Sequence, residues 1–309
     1  MQAGNALACA FFVVLAVCLL AAPALATEYR YVAHQGKVSS DYRGNTIPAF
    51  EQAAAAAGIY GIETDIWRTA DGRYVCLHGE DTGEASGGSK GATWAGMNVW
   101  NTNLDTLESA TVDGYVLPTL DEYLEICKAG GKVAFIEIKN PELAEDASYA
   151  DEVVAIVHDH GMLERCVFVS WIGRAKSVYY LKQAALHRYD VDVMGHIGSG
   201  RTNAKVDTAI SLAQEYGLDG IGTYPDIAQQ AYAYERLQGT GLKLRSTGAL
   251  KDEAHARELI ERYGLWALYC EFTPTVVPEY TVGTLVEVGD AFVVVRQRTD
   301  KLLASVMGP

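Results

Sequence analysis

The first 26 residues carry no charged side chain at all. What stands there instead is an apolar run, ALACAFFVVLAVCLLAAPALA, closing on Ala24-Leu25-Ala26, a small-x-small cleavage pattern. The expectation is a secretory signal peptide over residues 1–26 and an exported protein (periplasmic, extracellular or cell-surface) with no stable membrane insertion after cleavage. An uncleaved anchor is the alternative, since about 20 apolar residues can span a bilayer. A lipoprotein fits less well, because Cys18 follows Val17 where a small residue is wanted. Positive charge is scarce in the whole chain: 25 Lys and Arg against 39 Asp and Glu give a formal charge of −14, and no basic stripe offsets it. That excludes nucleic acid and argues against an anionic membrane as partner. A phosphorylated substrate would therefore need a local cation. Cysteine is sparse too. Beyond the N-terminal run only Cys76, Cys127, Cys166 and Cys270 remain, with no CxxC and no Cys/His cluster, so zinc is not indicated. Export permits disulfides, but each cysteine falls in an apolar strand or helix pattern, which fits four separate buried thiols equally well.

What is present is a repeat. The chain has 309 residues, 49% hydrophobic and 21% charged, enough for one large globular domain with a small appendage. Short apolar runs alternate with amphipathic stretches. Eight candidate strands are YRYVAH (29–34), IYGIETDIW (59–67), KVAFIEIK (132–139), RCVFVSW (165–171), YDVDVMGHI (189–197), LDGIGTY (218–224), LKLRST (242–247) and LWALYCEF (265–272). Helical patterns such as IPAFEQAAAAAG and TLDEYLEICKAGG lie between them, several ending in the usual Gly stop. This alternation predicts an α/β fold, a (β/α)8 TIM barrel over residues 27–273. An open doubly wound sheet is the alternative, but the segment after the first strand, HQGKVSSDYRGN, lacks the glycine-rich dinucleotide fingerprint. Two pieces stand outside the repeat: a Gly/Ser-rich insertion after strand two, residues 79–117, and a tail, residues 274–309, expected to be an appended β-hairpin turning at Gly289-Asp290.

In such a barrel the C-terminal strand ends build the site. His34 closes the first strand. Glu63 and Asp65, two apart in the second, point the same way, and two buried carboxylates on one face are costly unless something positive lies between them. Glu137 and Lys139 share a face at the end of the third strand. His78 follows the Asp71-Gly72 turn, which sends the chain back toward the end of strand two. Three carboxylates without a thiol make a hard oxygen site, suited to one divalent cation, Ca2+ or Mg2+. Two histidines beside it suit an acid and a base near neutral pH. Each feature alone has a plainer reading: a hydrogen-bonded histidine, a structural Glu137–Lys139 ion pair. His160, His187 and His255 read as solvated surface, while His196 ends strand five.

The blocks AHQG, GNTIPAF, GIETDIWRTADGRYVCLH, TNLDTLESATVDGYVLPTLDEYLEI and FIEIK, in that order, resemble the glycerophosphodiester phosphodiesterases. The resemblance is detailed over residues 30–140 and looser to about residue 273. It implies a metal-dependent barrel enzyme that cleaves a small-molecule glycerophosphodiester to an alcohol and sn-glycerol 3-phosphate. Carried over position by position, Glu63, Asp65 and Glu137 match the metal ligands, His34 and His78 the acid–base pair, and Lys139 a phosphate-contacting lysine. Three positions depart from the family pattern. Gln35 stands where an arginine follows the first histidine, Arg43-Gly44 stand for Pro-Glu before Asn45-Thr46, and His78-Gly79 for His-Asp. Gln35 thus falls at the phosphate-binding position, and Arg43 is the candidate to restore the guanidinium.

No serine or cysteine stands in an activated nucleophile motif; Ser39 and Ser40 lie after His34 without one. The expected route is attack by the substrate's own C2 hydroxyl, through a cyclic phosphodiester. Two alternatives accompany this reading. One is phospholipase D-type action on lysolipids or sphingolipids, with Trp94, Met97 and Trp100 touching an acyl chain rather than packing the insertion. The other is a non-catalytic binding protein on a degenerate barrel, for which Gln35 and Gly44 speak.

Overall fold

The computed structural model describes residues 28–79, 92–139, 147–171, 175–186, 192–197, 202–275, 280–288 and 291–298. The N-terminal apolar run, residues 80–91 of the insertion, His187 and the Gly289-Asp290 turn lie outside the described residues. The strands are β1 (Tyr31–Ala33), β2 (Ile59–Arg68), β3 (Tyr74–Cys76), β4 (Thr93–Trp94), β5 (Met97–Asn98), β6 (Val133–Ile138), β7 (Cys166–Trp171), β8 (Asp192–His196), β9 (Gly220–Thr223), β10 (Lys243–Ser246), β11 (Leu268–Cys270), β12 (Tyr280–Val288) and β13 (Ala291–Arg298). The helices are α1 (Ile47–Ala55), α2 (Leu104–Glu108), α3 (Leu120–Ala129), α4 (Ser148–Asp159), α5 (Ala175–Leu186), α6 (Asn203–Tyr216), α7 (Ile227–Leu237) and α8 (Glu253–Tyr263).

Eight parallel strands run in the order β10-β9-β8-β7-β6-β2-β1-β11. The ring closes through a parallel bridge from Arg245 to Ala267, with Ser246 N–H donating to the Ala267 carbonyl at 3.2 Å and Trp266 N–H to that of Leu244 at 2.7 Å. All eight expected strands are present. The observed barrel is the (β/α)8 arrangement, and the open sheet is excluded. Period two divides each strand between two cores. Ile62, Ile66, Ala134, Ile136 and Phe168 pack outward against the helices. Val32, Phe135, Val167, Val169, Met194, Ala267 and Tyr269 fill the barrel itself.

Local chemistry fixes the elements that frame the site. α1 starts after extended Thr46 with Pro48 in its first turn, where a missing N–H costs nothing. α3 carries a complete capping box: Thr119 Oγ1 accepts from Glu122 N–H, and the Glu122 carboxylate accepts from Thr119 N–H at 2.8 Å. Tyr123 of α3 is fully buried and donates its hydroxyl to the Ile62 carbonyl at 2.7 Å, tying α3 to the back of β2.

The insertion builds its own small core. β4 and β5 form an antiparallel ribbon, and Trp67, Val75, Leu77, Ala92, Trp94, Val99, Leu104, Leu107 and Leu117 cluster beneath it. β12 and β13 pair antiparallel, with Val288 opposite Ala291. Cys76, Cys127, Cys166 and Cys270 are four separate buried thiols. Among the described residues, no helix is long and apolar enough to cross a membrane.

Candidate active site

On β2, Ile62 and Ile66 face the helices, so Glu63 and Asp65 turn into the barrel. The parallel register then sets Asp65 directly beside Glu137 of β6, and Glu63 beside Phe135. One ligand oxygen from each of Glu63, Asp65 and Glu137 lies within 4.8 Å of the others. Their relative exposures are 1%, 1% and 8%, too low for water to carry three negative charges. Burial first, and the adjacent Asp65 second, push the Glu63 carboxyl up to about 8.

The partners around these oxygens are specific. Lys139 Nζ lies 3.0 Å from Asp65 Oδ1 and 2.8 Å from Glu137 Oε1. Burial by itself would lower the lysine's pKa, but Asp65 and Glu137 outweigh it and hold the ammonium charged. Gln35 N–H donates to Glu63 Oε2 at 2.8 Å, and Asn45 Nδ2 donates to Asp65 Oδ2 at 3.1 Å. Thr64 Oγ1 in turn donates to Asn45 Oδ1 at 2.8 Å and fixes that amide. One lysine against three carboxylates leaves the cluster short of positive charge. The donor set is all hard oxygen, so these three residues fit a Ca2+ or Mg2+ ion.

His34 follows β1 and opens a short turn, His34–Gly36, in which Gln35 takes a left-handed conformation with φ 55°. That conformation aims the Gln35 N–H at Glu63. The Gln35 side chain folds over position 44, where a Cβ would sit 2.6 Å from its Oε1 and 2.7 Å from its Cβ. Gln35 and Gly44 are therefore one steric arrangement: the first occupies the space that the second leaves.

The structure adds a residue that the sequence reading missed. Glu271, immediately after β11, places Oε1 3.1 Å from His34 Nδ1 and 2.7 Å from Lys37 Nζ. The His34 hydrogen bond, aided by Lys37 and opposed by burial, pulls the Glu271 carboxyl down to about 2. Burial pulls His34 down, but the Glu271 hydrogen bond and the charges of Glu63, Asp65 and Glu271 together raise it above its ordinary value. The signal was available: Glu271 ends the last strand, LYCEF, by the rule that picked out Glu137. The ring of His34 also stacks on Tyr269, centroids 5.9 Å apart.

His78 returns to β2 as expected. β3 runs antiparallel to it, Cys76 opposite Ile66, and Leu77 N–H donates to the Asp65 carbonyl at 2.8 Å. Half-buried His78 is the next residue. Arg43 Nη1 pairs with Asp113 at 2.9 Å, and its guanidinium lies over Trp94, 5.7 Å from the ring centre. Trp94 is buried and donates Nε1–H to the Ala110 carbonyl at 3.1 Å, and Met97, partly buried, packs on the same cluster, so both side chains help hold the insertion together. His160 is not free surface either. It bridges Asp121 at 2.9 Å and Glu125 at 2.8 Å, the carboxylate-rich helix face drawing its ring into the fold. His255 N–H is capped by Asp252 at the start of α8, while its Nε2 is buried without a partner. His196 ends β8, its side chain lying outside the described part.

Known proteins share this fold. The profile of the Glycerophosphoryl diester phosphodiesterase family matches residues 34–255. A glycerophosphodiester phosphodiesterase from Parabacteroides distasonis superposes with a TM-score of 0.62 at 19% identity, covering 79% of this chain and 93% of that one. A putative glycerophosphoryl diester phosphodiesterase from Agrobacterium tumefaciens gives a TM-score of 0.63 at 19% identity over 79% and 94%. An Oleispira antarctica phosphodiesterase, in complex with the product sn-glycerol-3-phosphate, gives 0.58 at 18% over 79% and 93%. A comparison with curated proteins returned no match. With the family match spanning the acidic triad and both candidate histidines, this chain belongs to the glycerophosphoryl diester phosphodiesterase family and is a phosphoric diester hydrolase.

Proposed function

We propose that the protein hydrolyses glycerophosphodiesters to an alcohol and sn-glycerol 3-phosphate, with Glu63, Asp65 and Glu137 holding one divalent cation and His34 and His78 moving the protons. The observation that carries this reading is the buried triad, three carboxylates within 4.8 Å of one another at the end of β2 and β6 with a single lysine between two of them. When bound, the cation supplies Lewis-acid charge to a phosphoryl oxygen. Lys139, fixed by Asp65 and Glu137, presents a permanent positive charge to the phosphate. Glu271 occupies Nδ1 of His34 and leaves Nε2 for proton transfer. His78, which follows β3 along the same edge of β2 as β1, takes the complementary role. One histidine accepts the proton of the attacking hydroxyl while the other donates to the leaving alkoxide. The substrate's C2 hydroxyl is the nucleophile, so a cyclic phosphodiester forms and water then opens it. Internal attack by a held hydroxyl removes several kcal/mol of entropic barrier, on the order of 7 or more in the best-oriented cases.

A panel of glycerophosphodiesters, assayed by coupled detection of glycerol 3-phosphate with Ca2+, Mg2+ or Mn2+ and after chelation, tests this reading. Turnover restored by one of the ions is the expected result; full turnover after exhaustive chelation overturns it. The reading includes export with cleavage after Ala26, supported by the uncharged apolar run, and a mature chain beginning at Thr27 by N-terminal sequencing is the expected outcome.

A further inference from the structure

Arg245 of β10 is fully buried, yet among the described residues its guanidinium has no carboxylate partner. Nη1 donates to the Ser246 carbonyl at 3.1 Å, while Nε and Nη2 have no hydrogen-bond partner. A buried guanidinium with open donors is costly, because the protein replaces only part of its lost hydration. The surroundings are donors as well. The hydroxyls of Thr247 and Tyr269 are both buried without a partner. Thr247 and Tyr269 both lie beside the guanidinium. A Cβ at Gly222 would sit 3.1 Å from Arg245 Nη2, 3.0 Å from its Cζ and 2.5 Å from Thr247 Cγ2, so glycine at 222 is what lets the guanidinium and Thr247 meet. The Tyr269 ring lies 4.9 Å from the guanidinium carbon, and the same ring stacks on His34. The unsatisfied donors are thus one side chain away from the proposed acid–base group.

We propose that Arg245, with the hydroxyls of Thr247 and Tyr269, binds a tetrahedral oxyanion, the phosphate of the substrate, and supplies the guanidinium that position 35 lacks. The inference rests on the proposed function for the identity of the anion. Position 35 carries a neutral amide, and Arg43, the other candidate, is paired with Asp113. Arg245 is already desolvated, and its two open N–H groups form the fork that a phosphate oxygen pair accepts. Access needs the Tyr269 ring to move from the guanidinium, and its hydroxyl has no hydrogen bond to hold it there.

Thermal unfolding of the full chain in chelator, with inorganic phosphate or with a glycerophosphodiester, tests the site without relying on turnover. The parent should melt at a higher temperature with either compound. Arg245→Met should gain nothing from either and should show at least a tenfold higher inhibition constant for phosphate in the metal-loaded assay. Thr247→Val, which keeps the volume, covers the case in which Arg245→Met does not fold, and should lose most of the shift. A parent that does not respond to phosphate, or a variant that melts cooperatively with the full shift retained, overturns the proposal. Loss of the phosphate shift with the diester shift intact overturns the assignment to substrate and leaves a site for free phosphate. Should no diester turn over with any metal, the proposed function fails while the melting shifts still decide the anion site.

Discussion

Replacing Glu271 by Gln removes the charge that faces His34 and keeps the side-chain length. In the parent, the carboxyl is held at about 2 by His34, with Lys37 assisting against burial. That is a depression of roughly 2.5 units from an ordinary glutamate, or about 3 kcal/mol at 1.36 kcal/mol per unit. His34, Lys37 and, at 3.5 Å, Lys251 share it and solvent reaches the group, so the part belonging to His34 is on the order of 1–2 kcal/mol. The variant should therefore lower the His34 pKa. The stability consequences follow from the two directions. Glu271 is depressed, so its contribution is present above about 4.5 and is lost as the pH falls toward about 2. His34 is raised, so its contribution is present below 6.5 and is lost as the pH rises through its folded value. The parent should gain most from the pair between those limits, and Glu271→Gln should lose that gain. The assay is an NMR titration of the His34 ring, read beside the pH profile of kcat/KM, whose His34 limb should move to lower pH by the same amount. Lys37→Met is the control with the opposite sign: it removes a cation 2.7 Å from the same oxygen and should raise His34. An unmoved His34 titration in folded Glu271→Gln refutes the reasoning, whatever happens to activity.

Glu63→Gln should lose divalent-cation affinity and nearly all activity while retaining the parent's circular dichroism; calorimetric titration with Ca2+ and Mg2+ measures the loss, and unaltered affinity removes Glu63 from the site. A 2-deoxy glycerophosphodiester should bind and turn over very slowly, because it has no internal nucleophile. Rapid turnover with solvent 18O entering the phosphate in a single step would point to direct attack by water. Thr119→Ala breaks the capping box of α3, and urea unfolding should show a loss of about 1 kcal/mol. Its turnover should match the parent's, since Thr119 caps a helix on the outer layer.

Much of the site was legible in the sequence because it depends on short-range geometry. Alternation along a strand is local, so Glu63 and Asp65 had to share a face wherever β2 lay. The Asp71-Gly72 turn had to send Cys76 back along Ile66 and bring His78 with it. The order of strands and helices similarly fixed a parallel barrel, because parallel neighbours need crossovers of that length. What the local rules left open were the distances across the ring. Only the β2–β6 register set Asp65 beside Glu137 rather than one residue off, which would have turned a ligand outward. Only the pairing of β1 with β11 brought Glu271 to His34, 237 residues away in the chain. Closure likewise put Arg245 against Tyr269, with Gly222 leaving the room for its guanidinium. A local pattern contains no term for a contact between the first strand and the last, so those partners were decided by how the eight strands stagger to close. The partners of Arg43 have the same origin: nothing in its local sequence announced that the insertion would set Trp94 and Asp113 against its guanidinium.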